Sequence, residues 1–281
     1  MMLHRRRPLR RHSINRLIPN ILTLLALCAG LTAMRFALEQ HFQLAVIAIV
    51  VAAVLDGLDG RIARLIGATS KFGAELDSLS DFVCFGVAPA VMLYLWVMSH
   101  GGRFGWAIVL LYAICTALRL ARFNTALDDA SRPAWTYNYF IGVPAPAGAG
   151  LAILPLIASF EIGREWFEHP WLIGAWTIVV SGLMVSRLPT FAFKRLRVPH
   201  WMVLPILLVV GVIAAGLAAE PWLTLLLLGC VYVVSIPLAY YMTRSVRGAS
   251  AAAPPAVEPR PAVPAEPRTV VSISGGRADP R

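Results

Sequence analysis

The sequence predicts an all-α, polytopic integral membrane protein, and three observations carry that prediction. Of 281 residues, 58% are hydrophobic and only 14% are charged, against roughly 25% charged in a soluble globular domain. The mean hydropathy of the whole chain is +0.69, too apolar to cover a water-facing surface. The apolar residues also come in runs of about 20, the length a helix needs to cross the hydrocarbon core. Eight Trp among 10% aromatic residues suit belts at the two interfaces. An ordinary soluble enzyme, a disordered protein and a disulfide-rich secreted domain are excluded. The four cysteines, Cys28, Cys84, Cys115 and Cys230, lie far apart in apolar stretches, where they read as small hydrophobes.

Eight spans are predicted: 17–38, 43–62, 79–99, 104–124, 141–160, 170–187, 202–219 and 221–243. The first follows a basic leader, as a signal peptide would. It is nevertheless long enough to stay in the membrane, and no small-residue cleavage site follows. The second and third carry acidic residues at their facing ends, so hydropathy alone trims both. The fifth opens in Gly142–Gly150, a Pro-broken run of small residues that reads as a tight packing interface or, alternatively, a lipid-entry groove. After the eighth, from residue 248, the composition turns Pro- and Ala-rich without helical or strand period, as expected of a solvated tail.

Charge orients the spans. With the N-terminus inside, 22 of the 25 Lys and Arg fall in inside segments, leaving Arg35, Arg103 and Arg164 outside. This asymmetry fits an even number of spans with both termini cytoplasmic. The net charge of +10 flanks hydrophobic spans, so it points to anionic headgroups; membrane lipids are the expected partners, and no nucleic acid is.

Acidic residues at a membrane edge are costly and point to function. Five of the 15 Asp and Glu fall within 56–81: Asp56, Asp59, Glu75, Asp77 and Asp81. Asp56 and Asp59, three apart, share a face of the second helix; Asp77 and Asp81, four apart, share a face of the third. A short turn containing Gly67, Ser70 and Gly73 joins the two, so all four Asp can aim into one space. Four carboxylates at low dielectric need cations beside them. With no His or Cys in the cluster, hard ions with oxygen ligands are expected, Mg²⁺ or Mn²⁺. Two such ions suit a displacement at phosphorus. The competing structural reading pairs these carboxylates with Arg61 and Arg64. Gly57, Gly60 and Ala63, beside the acids, serve either close helix packing or the close approach of a flat ligand.

Asp56-x-x-Asp59-Gly60-x-x-Ala63-Arg64, eight residues, then Gly73-x-x-x-Asp77-x-x-x-Asp81 resembles the complete signature of the CDP-alcohol phosphatidyltransferase family. Within that family, Asp77-Ser-Leu-Ser-Asp-Phe82, Phe85-Gly-Val-Ala-Pro-Ala90, Pro19-Asn20-x-x-Thr23 and Arg119-Leu-Ala-Arg122-Phe-Asn124 resemble the bacterial members whose acceptor alcohol is serine. Beside the basic segment 1–16 that charge places in the cytoplasm, the resemblance implies a six-helix catalytic core at 17–187. An inner loop with two more helices would occupy 188–243, and by composition the disordered cytoplasmic tail takes 244–281. It implies an enzyme of the inner membrane that takes CDP-diacylglycerol and L-serine, works as a homodimer and binds two divalent ions. Asp56, Asp59 and Asp77 would hold the first ion; Asp56, Asp77 and Asp81 would approach the second, and Asp81 would also be the general base. Arg64 would bind the diphosphate. Gly60, Ala63 and Gly73 would admit the cytidine end, with Asn20 and Thr23 contacting it.

Arg119 and Arg122, at the inner end of the fourth span, could hold the serine carboxylate or a lipid phosphate, or reach to headgroups. Two alternatives are weighed. One keeps the chemistry with glycerol phosphate, inositol phosphate or choline as acceptor. The other is a cation transporter using the Asp cluster, which would be expected to show repeated halves; no internal repeat is visible.

Overall fold

The computed structural model describes residues 17–128, 140–167, 169–186, 189–190 and 200–251. All eight predicted spans are helical: α1 Leu17–Leu38, α2 Phe42–Leu65, α3 Lys71–Trp96, α4 Gly102–Asp128, α5 Ala145–Ile162, α6 Pro170–Val185, α7 His200–Ala219 and α8 Pro221–Ala251. Seven of these are long and apolar enough to cross a membrane, and α6, with 16 residues, is shorter. A two-residue antiparallel pair, β1 Phe140–Ile141 with β2 Pro189–Thr190, is the strand content of the described residues.

Three boundaries differ from expectation. Helix α3 begins at Lys71, not 79, because Ser70 caps it: its hydroxyl accepts the Gly73 N–H at 3.0 Å. Gly73 is therefore in the first helical turn and not in the connecting turn. The fifth span starts at Ala145, since Ile141 is paired in β1 and Pro144 has an extended backbone. Helix α8 runs to Ala251, so residues 244–251 of the expected tail are helical. The leader 1–16, the cationic residues Arg187, Lys194, Arg195 and Arg197, and the rest of the tail lie outside the described residues.

A stripe of mostly small residues makes α1 a close neighbour of α2 and α3. Its buried positions are Pro19, Thr23, Ala26, Gly30, Ala33 and Ala37, spaced three and four apart. A Cβ on Gly30 would sit 3.0 Å from the Cα of Cys84 on α3. Between helices in lipid, where no hydrophobic gain drives association, such close backbone approach supplies the packing. Leu17, Ile18, Ile21, Leu24 and Leu25 face outward, as lipid-facing residues should.

The α2–α3 connection holds the acidic ends together. Gly67 sits at φ +61, the left-handed conformation that ends many helices. The Ala68 N–H donates to the Ala63 carbonyl at 2.9 Å and the Gly67 N–H to that of Arg64 at 3.4 Å, closing a Schellman motif.

Two prolines open the helices, and two aromatic donors repair them. Pro89 has no N–H for the Phe85 carbonyl four residues back. The helix widens into a π turn over Phe82–Val87, and the fully buried Tyr112 of α4 donates its hydroxyl to the Phe85 carbonyl at 2.7 Å. In α5, Pro155 likewise spares the Leu151 carbonyl, which accepts the Trp176 indole N–H at 2.7 Å. Gly148, in the small-residue run, lies against Met184 of α6, in keeping with a packing role.

Helix α8 docks on α5. Trp222 and Phe160 stack edge-on with centroids 4.9 Å apart, and a Cβ on Gly229 would overlap Leu154. No residue of Met202–Ala219 in α7 is buried, so that helix is a lipid-facing element held against α8.

Candidate active site

The Schellman turn and the Ser70 cap place the last turns of α2 beside the first turns of α3. Carboxylate oxygens of Asp56, Asp59 and Asp77 lie within 4.8 Å of one another. Asp59 is buried at 3% exposure, and Asp56, Asp77 and Asp81 are half-buried. Asp81 interacts directly with Asp56 and lies within electrostatic reach of Asp77 and Arg119. The four predicted carboxylates are thus brought together, three as a compact cluster and Asp81 at its edge.

Few protein groups balance this negative charge. Asp59 accepts the Thr23 hydroxyl at 2.6 Å. Among the described residues, the ion pairs within 4.0 Å are Arg35–Glu39 and His41–Glu39, both at the opposite end of α1. Arg61 and Arg64 therefore do not pair with the cluster, which removes the structural explanation for it. Asp81 Oδ1 is buried without a hydrogen-bond partner. Like charges a few ångströms apart in a partly desolvated site repel strongly, and an orphaned carboxylate oxygen at such a site suits a cation. Cys84 is close by, but its thiol donates to the Ala26 carbonyl at 3.3 Å, so the available donors are oxygens. These residues fit a hard divalent ion.

The remaining predicted residues fall around the cluster. Asn20, on the first turn of α1, has its Oδ1 3.0 Å from where a Gly73 Cβ would lie, so glycine at 73 lets α1 and α3 meet. Thr23 is turned to Asp59 and, at 3.1 Å, to the Pro19 carbonyl. A Cβ on Gly57 would meet nothing within 4 Å, and one on Gly60 only the Arg64 guanidinium, at 3.9 Å. Helix packing within the chain does not explain these glycines; the space beside them is open. Ala63 is half-buried and Arg64 exposed on the same stretch of α2.

The two arginines of α4 part company. Arg122 donates to the Val185 and Ser186 carbonyls at 3.0 and 3.3 Å, capping the end of α6. Arg119 has no such carbonyl partners among the described residues and lies within electrostatic reach of Asp81.

The sequence motifs contain Asn124, Ser78 and Ser80 without giving them a role, and Tyr232 stands outside any motif. Asn124 donates its amide to Ser78 at 2.9 Å, tying α4 to α3. Ser80 donates to the Thr23 carbonyl at 3.3 Å, tying α3 to α1. Ser78 and Ser80 lie inside the Asp77–Asp81 segment, and their interleaving with the acids was the signal that they face neighbouring helices. Tyr232 of α8 lies within electrostatic reach of Arg119; nothing in its apolar surroundings marks it in the sequence.

Comparison with known proteins agrees with this geometry. The family model described as CDP-alcohol phosphatidyltransferase matches residues 16–184, and that described as CDP-alcohol phosphatidyltransferase 2 matches 201–237. The chain is similar to the CDP-diacylglycerol–serine O-phosphatidyltransferase of Mycobacterium leprae, at 42% identity over 85% of this chain and 79% of that protein. It is 41% identical to the protein of the same name from Mycobacterium tuberculosis (strain H37Rv), over 83% of this chain and 82% of the relative. The Helicobacter pylori (strain 26695) protein of that name is 36% identical over 64% of this chain and 74% of its own length.

Proposed function

Since the chain belongs to the CDP-alcohol phosphatidyltransferase family, we propose that it transfers the phosphatidyl group of CDP-diacylglycerol to L-serine, releasing CMP and forming phosphatidylserine. The observation that carries this reading is the convergence of Asp56, Asp59 and Asp77, with Asp81 at their edge and no cationic side chain among the described residues paired to them. The reaction is metal-dependent, and two Mg²⁺ or Mn²⁺ ions held by Asp56, Asp59, Asp77 and Asp81 would neutralise the diphosphate and the departing CMP.

The chain's own residues do the rest. Arg64, exposed at the end of α2, binds the diphosphate. The open space beside Gly60 admits the cytidine end of the substrate, bounded by Ala63, Gly73 and Asn20. Thr23 borders that space and fixes the orientation of Asp59 through its 2.6 Å hydrogen bond. Asp81 accepts the serine hydroxyl proton. The hydroxyl oxygen bonds to the phosphorus that carries diacylglycerol, the bond from that phosphorus to the bridging oxygen breaks, and CMP leaves with the electron pair. Positioning and charge neutralisation supply most of the acceleration. Arg122 is committed to the end of α6, which leaves Arg119 as the arginine of α4 available to a substrate anion.

The protein lies in the cytoplasmic membrane with the site and both termini inside, a reading supported by the 22 of 25 basic residues on that side. CDP-diacylglycerol reaches the site sideways from the inner leaflet, and the working unit is a homodimer surrounded by membrane lipids.

An acceptor panel tests this reading. Purified protein given CDP-diacylglycerol should form lipid product with L-serine and not with glycerol phosphate, inositol phosphate or choline. A product made preferentially from one of those alcohols would keep the chemistry and reject serine.

A further inference from the structure

Four buried side-chain nitrogen or oxygen atoms among the described residues lack a hydrogen-bond partner, and three of them belong to residues within electrostatic reach of Arg119 or to Arg119 itself. They are Asp81 Oδ1 on α3, Arg119 Nε on α4 and Tyr232 Oη on α8, and Arg119 interacts electrostatically with both of the others. Buried donors without partners are rare and ask for an explanation. Arg119 is also a cation inside a membrane-spanning helix that forms no ion pair within 4.0 Å among the described residues. Arg122, one turn further on, shows how the same chain satisfies an arginine when the fold alone requires it.

We propose that Arg119 and Tyr232 form the carboxylate pocket of the acceptor amino acid, with Tyr232 a specificity-determining residue contributed by the helix pair that follows the six-helix core. The inference rests on the serine-transferase reading above. A guanidinium and a phenol hydroxyl both donate, and the guanidinium accepts nothing, so their natural ligand is an anion with two acceptor oxygens. A guanidinium also repels the ammonium group of an amino acid, while the nearby carboxylates attract it. In serine only two carbons separate the carboxylate from the hydroxyl, so an acceptor held at Arg119 would present its hydroxyl toward Asp81, the neighbouring group. A lipid phosphate is the other anion such a pocket could hold. It is disfavoured because the Asp81 carboxylate lies within electrostatic reach of Arg119 and would repel a phosphate more than the carboxylate of a zwitterionic amino acid.

The test uses the full chain in detergent with CDP-diacylglycerol, comparing wild type with Tyr232→Phe and Arg119→Lys. CMP release is measured against L-serine, against CDP-diacylglycerol, and with serinol, which lacks the carboxylate. Losing a hydrogen bond to a charged group should raise the KM for serine about tenfold or more in Tyr232→Phe. The KM for CDP-diacylglycerol should stay unchanged, and preference for serine over serinol should fall by a similar factor. Arg119→Lys should show the same pattern, which keeps the test decisive if Tyr232→Phe does not fold. An unchanged serine KM, or a fall in kcat alone, would overturn the pocket. A rise in the CDP-diacylglycerol KM instead would assign these residues to a lipid phosphate and equally overturn it. Failure of the underlying reading looks different: wild type itself would then release no CMP in response to serine.

Discussion

Thr23 on α1 donates its hydroxyl to Asp59 on α2 across 2.6 Å, and both side chains are buried. This bond joins the first helix to the carboxylate cluster and holds one oxygen of Asp59 in place. Thr23→Val keeps the volume and removes the donor. Partners that orient a metal ligand are typically worth about 10–100-fold in metal affinity. The activating concentration of Mn²⁺ should therefore rise by that order in Thr23→Val and stay near wild type in Thr23→Ser. An unchanged metal titration in Thr23→Val would show that the bond is incidental.

Asp81 should separate from its neighbours. Asp56→Asn removes a member of the compact cluster, so metal affinity and CDP-diacylglycerol binding should fall together. Asp81→Asn keeps the shape and removes the base, a contribution typically about 10²–10⁴-fold in rate. Turnover in Asp81→Asn should fall by at least about 10²-fold while CDP-diacylglycerol binding in saturating metal is largely retained. Single-turnover and binding assays on the same preparations decide this. Near-normal turnover would remove Asp81 as the base.

Tyr112 has a structural task. Its hydroxyl is the partner of the Phe85 carbonyl that Pro89 leaves unbonded, in the π turn directly after Asp81. Tyr112→Phe orphans that carbonyl in the apolar interior, a loss of about 1–3 kcal/mol. The thermal unfolding midpoint in detergent should drop accordingly, with the metal titration of the folded fraction unchanged. An unaltered midpoint would mean that the carbonyl finds another partner.

Topology follows from the charge distribution. Reporters fused after Lys71 and after Arg247 should read cytoplasmic, and one fused after Glu165 should read outside. If the Lys71 fusion read outside, the carboxylate cluster would face away from cytoplasmic serine.

Much of this was legible in the sequence, for identifiable reasons. Span lengths are set by bilayer thickness, so hydropathy located all eight helices. Carboxylates at helical spacing fixed the cluster, because Asp56 and Asp59, and Asp77 and Asp81, must share faces. The start of α3 was misplaced because its polar first turns, from Lys71 to Ser80, carry little hydropathy; the Ser70 cap was the better guide. The roles of Arg119 and Arg122 could not be separated, since three-residue spacing says nothing of which neighbour each reaches. Tyr232 was invisible for a related reason: the docking of α8 on α5 brings it within electrostatic reach of Arg119, a long-range arrangement that no local pattern encodes.

The central claim is that the Asp56–Asp59–Asp77 cluster and Asp81 carry a metal-dependent phosphatidyl transfer. Its most direct test is CMP release from CDP-diacylglycerol in the presence of L-serine, before and after chelation. EDTA should abolish serine-dependent release, and Mg²⁺ or Mn²⁺ should restore it. Full activity in a rigorously metal-free preparation would contradict the account.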